Sequence, residues 1–458
     1  MKHLVRFCGV LLVLLAVPCI AIADKDVDCH IGGYRLADGG VVAITPSDGG
    51  TLRWLRFDGE TGVLHRTTGD TWSSTKGWTQ QTDGITVSLP DCKTGEINFN
   101  GIHGRRLTFD TENVRFRGHG VTLAGRLVMP PGTNKVPVLI FVHGSEHASA
   151  ISSYSTFSYA LQRMLPAEGI GMFVYDKRGT GASGGQYTQD FSLLADDVDA
   201  AVREARHLAG PRLGRIGFFG GSEGGWVAPI AANRVHVNFV IVGYGLAVNV
   251  IQEDQEEVEL QMRQKGYSPE IIAKALEVAR AAETVMESDF KHGFRKLDAI
   301  RAKYGSTPWY KEVYGDYAWI VLQQHSDAQL RAMAPKFDWH TPFHYDPMPT
   351  LRADKTPQLW ILGGEDYEAP SAETSRRIKT LIASGLPFTL AYYPHADHGM
   401  TLFETQADGT RVDIRYAPGY FAMIRDFARL GWLPSKYGDA EISRSHVGSV
   451  PATGTSSH

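Results

Sequence analysis

Short apolar runs alternate with longer amphipathic stretches over most of the chain after Val121. Six of the apolar runs predict buried strands, at residues 137–142, 171–175, 216–219, 237–242, 359–362 and 388–393. Stretches such as residues 192–208 carry apolar positions at helical spacing and predict helices between the strands. Alternation of this kind is typical of a mostly parallel sheet that helices cover on both faces, so we predict an α/β core.

A different pattern precedes this core, between residues 24 and 116. Here apolar and polar residues alternate over short runs, with Gly and Asp clustered between the runs. The runs lie at residues 41–45, 51–57, 85–89 and 105–109. Short strands at close spacing with such turns predict a small N-terminal antiparallel β domain. None of its residues suggests catalysis.

A long polar segment, residues 247–351, interrupts the alternation between the fourth and fifth core strands. Its composition favours helices at residues 252–263 and 269–286, and aromatic residues such as Tyr314 and Trp319 follow. We predict a helical cap insertion here. Its acidic run has the composition of a solvated helix face.

The N-terminal residues predict an export signal. Lys2 and Arg6 precede an apolar run at residues 7–17, and Ala21-Ile22-Ala23 matches a cleavage site. The apolar run is too short to span a bilayer as a helix. We predict cleavage after Ala23, a periplasmic or secreted bacterial protein, and no integral membrane segment after cleavage. An uncleaved anchor is the alternative.

The complete predicted division of the chain follows from these patterns. It assigns residues 1–23 to the signal peptide, 24–116 to the N-terminal β domain, 117–246 and 352–434 to the α/β core, 247–351 to the cap insertion, and 435–458 to a disordered tail. The tail assignment rests on its Ser, Gly and Thr content.

Cysteine usage is consistent with export. The chain has four cysteines, and Cys8 and Cys19 leave with the predicted signal peptide. Cys29 and Cys92 then form an even pair in an exported protein, so we predict a disulfide between them.

Charge and motifs exclude several classes of function. The net charge is −4 and no basic run occurs, which argues against nucleic acid as a partner. No phosphate-binding loop of the G-x-x-x-x-G-K-[ST] type is found. The histidine pairs 143/147 and 395/398 have near-ligand spacing, but no further ligand motif supports them. We therefore predict neither a metal nor a cofactor, and the oligomeric state is left open.

The candidate nucleophile lies in Gly220-Gly221-Ser222-Glu223-Gly224, directly after the predicted strand at residues 216–219. A G-x-S-x-G motif between a strand and a helix forms a tight turn that exposes the serine hydroxyl, and bulky neighbours would clash there. The same turn points the backbone N–H of Glu223 toward a developing oxyanion.

Candidate acids and bases follow two later strands. A serine hydroxyl needs a base to take its proton and an acid to orient that base. Glu365 and Asp366 come after the strand at 359–362, and His395 and His398 come after the strand at 388–393. Because parallel sheets place their ligand sites at the carboxyl ends of strands, we expect these groups at one edge of the core.

Five motifs in order resemble the α/β-hydrolase superfamily, and within it bacterial carboxylesterases near the dienelactone-hydrolase and prolyl-oligopeptidase branch. The motifs occupy residues 142–145, 175–183, 220–225, 363–370 and 395–399. The resemblance implies an α/β-hydrolase fold with a cap and the chain order serine, acid, histidine.

The resemblance also assigns roles to individual residues. The family's acid stands three residues before Ala-Pro or Val-Pro, as Asp366 does, and its base precedes a glycine, as His398 does. The second oxyanion N–H belongs to the residue after His-Gly, here Ser145. Glu365 and His395 are the alternative acid and base.

The residues and the resemblance together predict an exported serine hydrolase that cleaves a small-molecule carboxylic ester through an acyl-enzyme intermediate. The first alternative is a serine peptidase of aminopeptidase or dipeptidyl peptidase type that acts on a short peptide. Such an enzyme often holds the free amino terminus with an acidic pair in the cap; Glu256 and Glu257 are either that pair or a pair on the surface. The second alternative is a catalytically inactive binding or scaffold protein. The intact motifs around Ser222, Asp366 and His398 argue against it.

Overall fold

The computed structural model describes residues 29–154 and 157–445. Within them the strands form a closed barrel, a nine-stranded sheet and a two-stranded hairpin. The predicted signal peptide and residues 446–458 of the predicted tail lie outside the described residues. None of the helices in the described part of the chain has the length and apolar character that a membrane span requires.

The N-terminal unit is a closed antiparallel barrel of eight strands. Its strands are β1 (Gly32–Leu36), β2 (Val41–Pro46), β3 (Leu52–Arg56), β4 (Thr61–Thr68), β5 (Thr71–Lys76), β6 (Thr82–Ser88), β7 (Glu96–Phe99) and β8 (Ile102–Arg106). Each pairs with its neighbour in sequence, and β8 closes on β1. The rings of Trp54 and Phe99 meet edge to face inside, and the Trp54 indole donates to Ser74 Oγ at 2.7 Å. Side chains thus fill the interior, as expected for a barrel of this size.

A disulfide joins Cys29, just before the barrel, to Cys92 between β6 and β7. The two Cα atoms are 5.6 Å apart, within the usual range for such a bond. The predicted pairing is therefore confirmed. A cross-link between residues 63 positions apart restricts the unfolded chain and stabilises the fold by on the order of 4 kcal/mol.

The central sheet confirms the predicted mostly parallel core. It contains β9 (Asp110–Arg117), β10 (Thr122–Met129), β11 (Val136–Val142), β12 (Gly171–Tyr175), β13 (Leu213–Gly221), β14 (Phe239–Gly243), β15 (Gln358–Gly363), β16 (Phe388–Tyr393) and β19 (Glu441–Arg444). The spatial order is β19-β16-β15-β14-β13-β11-β12-β10-β9. The six strands from β16 to β12 are parallel, and β9, β10 and β19 pair antiparallel at the edges.

Helices cover both faces of this sheet. The first face carries α2 (Phe191–Ala209), α3 (Gly224–Ala232) and α10 (Ser371–Ala383), and the second carries α1 (Phe157–Met164) and α11 (Tyr420–Leu430). The barrel packs on the second face, because Ala43 and Leu55 belong to the same apolar cluster as α1 and α11.

The predicted cap insertion is helical and lies between β14 and β15. Its helices are α4 (Val250–Gln264), α5 (Pro269–Met286), α6 (Phe294–Tyr304), α7 (Asp316–Trp319), α8 (Asp327–Met333) and α9 (Met348–Ala353). Val258 and Met262 on α4 are fully buried with Ala275 and Ala279 on α5 in the cluster of the first face. The cap is therefore continuous with the core of the sheet.

Two segments have a different structure from the one that the predicted domain boundaries gave them. All but the last residue of strand β9 falls within residues 24–116, yet the strand pairs with β10 over its whole length and belongs to the central sheet. Residues 441–444, assigned to a disordered tail, form β19 and pair with β16. The tail prediction was wrong there, because an edge strand is stabilised by backbone hydrogen bonds to its neighbour, which residue composition does not record.

A hairpin that the sequence pattern did not predict follows the last parallel strand. It comprises β17 (Thr401–Thr405) and β18 (Arg411–Tyr416). The barrel holds it by backbone hydrogen bonds of 2.9 Å from Trp78 N to Asp413 O and from Tyr416 N to Gly59 O. The hairpin therefore connects the barrel to the loop after β16.

Candidate active site

Ser222 occupies a strained turn between β13 and α3. Its φ of 51° lies in the left-handed region, which side-chain-bearing residues rarely adopt and which is typical of functional turns. A Cβ at Gly220 would lie 2.3 Å from Gly224 O, and a Cβ at Gly224 would lie 2.7 Å from Val142 O. Only glycine fits at these two positions. Ser222 itself is half-buried, whereas Gly221 and Glu223 on either side are buried.

The structure brings Asp366 and His398 together. His398 Nδ1 lies 3.0 Å from Asp366 Oδ2 and 3.2 Å from Oδ1. Asp366 is 1% exposed, and its Oδ1 also accepts from the backbone N–H of Ala369 at 2.7 Å. The carboxylate is thus fixed from two sides.

The alternative acid and base lie elsewhere. The Glu365 carboxylate accepts a hydrogen bond from Arg411 Nη2 at 3.0 Å. The side chain of His395 is exposed to solvent.

Tyr244 connects this pair to the serine turn. A Cβ at Gly221 would lie 2.6 Å from the Tyr244 hydroxyl, so the ring packs directly on the turn. The same ring meets the His398 imidazole edge to face at 4.8 Å between centroids. The Tyr244 ring therefore contacts both the serine turn and the His398 imidazole. The backbone N–H of Ser222 donates to Gly243 O at 3.1 Å, which ties the turn to the end of β14.

A buried lysine joins the two segments that carry Ser145 and Glu223. Lys177 is 1% exposed, and its Nζ donates to Glu223 Oε1 at 2.6 Å and to Gly144 O at 3.1 Å. The Tyr187 hydroxyl donates to Ser145 O at 2.7 Å. The charge of Glu223 is thus compensated inside the protein. Sequence reasoning missed this role of Lys177, although the residue stands in the motif at 175–183.

The cap and the loop after β15 bring carboxylates toward the histidine. Glu368 Oε1 lies 3.6 Å from His398 Nε2. Burial and the charge of Asp316 raise the pKa of Glu253 well above its usual range, and burial and Glu368 do the same for Asp316. Among the described residues, Asp316 Oδ1 is buried and has no hydrogen-bond partner. Sequence reasoning missed Glu253, Asp316 and Glu368 as a group, since they come from three separate segments.

These charges act on the candidate base. Burial lowers the pKa of His398, but the carboxylates of Glu368 and Asp366 outweigh burial and raise it from 6.5 to about 10. A histidine accepts a proton only in its neutral form. The environment therefore favours the charged imidazolium at neutral pH.

We expect the acid limb of the kcat/KM profile to lie above the ordinary histidine pKa, with activity rising as His398 loses its proton. Glu368→Gln removes a negative charge beside Nε2, so it should move this limb down by about one pH unit. Glu404→Gln on β17 is the control and should leave the limb in place. A limb that does not move in Glu368→Gln would show that Glu368 does not act on the base. The profile is measured with a 4-nitrophenyl ester between acidic and alkaline pH.

The histidine pairs considered as metal ligands do not converge. His143 Nε2 donates to Tyr175 O at 2.6 Å, and the His147 ring packs on Tyr187. In the described part of the chain, the group of residues with metal-ligand spacing is Cys29, His30 and Cys92. Two of these three residues form the disulfide.

One family model matches part of this architecture. A hydrolase family model described as serine aminopeptidase, S33, matches residues 133–289. No curated protein sequence matches the chain.

Solved structures of low identity resemble the chain. An esterase from Pyrococcus furiosus shares 16% identity at a TM-score of 0.41, over 63% of this chain and 84% of that one. An acylaminoacyl peptidase from Pyrococcus horikoshii shares 16% identity at a TM-score of 0.38, over 78% of this chain and 52% of that one. A hypothetical protein from Pseudomonas aeruginosa shares 20% identity at a TM-score of 0.36, over 70% of this chain and 93% of that one.

The family model begins before β11 and extends through the serine turn into the cap. The sheet, the helices on its two faces and the cap between β14 and β15 form the α/β-hydrolase architecture. The chain thus has an α/β-hydrolase fold, and over residues 133–289 it is similar to a hydrolase family described as serine aminopeptidase, S33.

Proposed function

We propose that this protein is an exported serine hydrolase that cleaves carboxylic esters through an acyl-enzyme intermediate. The observation that carries the proposal is the pairing of His398 Nδ1 with the buried Asp366 carboxylate at 3.0 Å, in contact through Tyr244 with the strained turn of Ser222. A base, an acid that orients it and an exposed hydroxyl are the parts that acyl transfer requires.

In the proposed reaction Ser222 Oγ attacks the carbonyl carbon, and His398 Nε2 takes the hydroxyl proton. Asp366 holds the Nδ1–H and stabilises the imidazolium, which then protonates the departing alcohol. The backbone N–H groups of Ser145 and Glu223 stabilise the oxyanion, and Lys177 supports both through Gly144 O and the Glu223 carboxylate. A water activated by His398 then releases the acid and frees Ser222.

Export is part of the proposal. The Cys29–Cys92 bond favours an oxidising compartment, since disulfides persist in secreted and periplasmic proteins and are rare in the cytosol. The predicted signal peptide points the same way.

The acidic groups Glu253 and Asp316 of the cap, together with Glu368 after β15, favour a second candidate, a serine peptidase of aminopeptidase type. Glu368 lies 3.6 Å from His398 Nε2, and burial together with neighbouring carboxylates raises the pKa of Glu253 and of Asp316. A cation bound among these groups would favour their ionised forms. A free α-amino group has the required charge and size. Its binding would also lower the pKa of His398 by offsetting Glu368, and so release the base for catalysis.

The side chains of the acidic pair considered from the sequence, Glu256 and Glu257, have different partners. Glu257 is 1% exposed, and its Oε2 accepts from the backbone N–H of Asp316 at 2.8 Å. Glu256 points elsewhere and accepts from Gln252 Nε2 at 2.7 Å. Adjacent residues of a helix point about 100° apart, so only Glu257 faces the acidic group near His398.

A substrate panel decides between the two candidates. We expect 4-nitrophenyl butyrate to be hydrolysed and leucine 4-nitroanilide to be cleaved slowly or not at all. N-acetyl-leucine 4-nitroanilide is the matched control, because it lacks the cation and keeps the scissile bond. Faster cleavage of the free-amine anilide than of the butyrate ester, with the acetylated anilide inert, would replace the esterase by the aminopeptidase. The measurement is kcat/KM for each of the three compounds.

A further inference from the structure

Arg411, on β18, is held between two aromatic rings beside the candidate acid and base. Its guanidinium carbon lies 4.0 Å from the ring centroid of Tyr367 and 4.0 Å from that of Phe403. The side chain is 11% exposed. Stacking between two rings fixes the plane of the guanidinium and therefore the directions of its N–H groups.

The fixed N–H groups reach the segment that carries the acid. Arg411 Nη1 donates to the backbone oxygen of Glu365 at 2.6 Å, and Nη2 donates to the Glu365 carboxylate at 3.0 Å. Glu365 immediately precedes Asp366. The residue before the acid is thus held by one hydrogen bond to its backbone and one to its side chain, both from Arg411.

The same side chain reaches the segment that carries the base. Arg411 Nη1 also donates to Asp397 Oδ2 at 3.0 Å. The other oxygen of that carboxylate accepts from the backbone N–H of His398 at 2.9 Å. One guanidinium thereby connects the residue before Asp366 to the residue before His398.

We propose that Arg411 is a positioning residue that sets the distance between Asp366 and His398, a proposal that rests on the proposed hydrolase function. The two segments follow different strands, β15 and β16, and each ends in a loop. A planar fork with several N–H groups can bond both loops at once, whereas an ammonium group donates from one point. The orientation of a catalytic histidine depends on partners of this kind.

The position also gives the barrel a part in the site. Strand β18 carries Arg411 at its first residue and Tyr416 at its last. Tyr416 N donates a hydrogen bond to Gly59 O of the barrel, and Trp78 N of the barrel donates one to Asp413 O. The barrel therefore anchors β18, whose Arg411 bonds the loops after β15 and β16.

The test compares Arg411→Ala, Arg411→Lys and Arg415→Ala in the full-length protein, with 4-nitrophenyl butyrate as substrate. Arg415 is the matched control, because it lies on the same strand but bonds Asp58 O and Glu60 of the barrel. We expect Arg411→Ala to lower kcat by about 10²-fold, since a small displacement of a catalytic pair has costs of that size, while KM changes by less than about threefold.

Added guanidinium ion should restore part of the kcat of Arg411→Ala, because it can occupy the place between the two rings. Arg411→Lys should stay impaired, and Arg415→Ala should keep kcat within about threefold of wild type. A role confined to stability would lower the melting temperature without rescue by guanidinium. If Arg411→Ala fails to fold, Arg411→Lys decides, and near-normal kcat in Arg411→Lys would overturn the proposal.

Two further results would also overturn it, namely a kcat of Arg411→Ala within about threefold of wild type, or an equal loss in Arg415→Ala. Ser222→Ala, measured in the same assay, separates this proposal from the proposed function. An active Ser222→Ala contradicts the proposed function itself. An inactive Ser222→Ala beside a normal Arg411→Ala contradicts only the positioning role.

Discussion

Replacing Ser222 by alanine is expected to lower turnover of 4-nitrophenyl esters by about 10³-fold or more. The hydroxyl is the proposed nucleophile, and no other group can form the acyl-enzyme from that turn. The residual rate would come from the oxyanion N–H groups and from binding alone. The left-handed φ of 51° tolerates alanine as it tolerates serine, so the fold and the melting temperature should be kept.

Labelling with a fluorophosphonate provides the second readout, since this reagent reacts only with an activated serine. Wild type should be labelled at Ser222, and Ser222→Ala should not be labelled. Ser145→Ala is the matched control. The proposed role of Ser145 uses only its backbone N–H, so this variant should keep activity within about tenfold of wild type. A Ser222→Ala protein that retains activity within about tenfold of wild type would remove the serine from the mechanism.

Asp366→Asn is expected to lower kcat by about 10³- to 10⁴-fold, because an amide can hold the imidazole in the wrong tautomer and cannot stabilise its charge. Asp366 is 1% exposed and 3.0 Å from His398 Nδ1, so no water can replace the carboxylate there. Removing a negative charge should also lower the pKa of His398 and move the acid limb of the kcat/KM profile to lower pH.

Glu365→Gln is the control for this substitution. The Glu365 carboxylate pairs with Arg411 and is 40% exposed, so losing its charge should cost little, and the backbone bond to Arg411 is kept. The measurement is kcat for both variants on one ester, with circular dichroism to check folding. If Glu365→Gln proved the more damaging of the two, the acid would be misplaced by one residue.

Much of the fold could be read from the amino-acid sequence. The apolar runs at residues 171–175 and 388–393 coincide with β12 and β16, and the helix at 192–208 differs from α2 by one residue at each end. These elements are buried on both sides or strongly amphipathic, so local periodicity is sufficient to identify them. Edge elements were harder, as β19 shows, because pairing with a neighbour and not burial stabilises them.

The candidate residues divide in the same way. Ser222 and Asp366 stand in local motifs whose spacing is dictated by a turn, and the sequence alone could nominate them. The sequence could not give their relative positions, since the distance between Asp366 and His398 depends on how β15 and β16 pair. In the sequence the choice between Glu365 and Asp366 rested on a resemblance, and the structure adds that the Asp366 carboxylate, not that of Glu365, pairs with His398.

The sequence by itself determined the α/β core, the helical cap, the antiparallel N-terminal domain and the candidate serine, acid and histidine. Only the tertiary structure decided which groups surround the histidine. Arg411 contacts two loops that lie 14 and 46 residues away in sequence, and Lys177 bonds Glu223 from 46 residues away. Glu253 and Asp316 come from the cap. Such groups have no common local pattern, because charges separated along the chain interact only after the fold brings them within a few ångströms of each other.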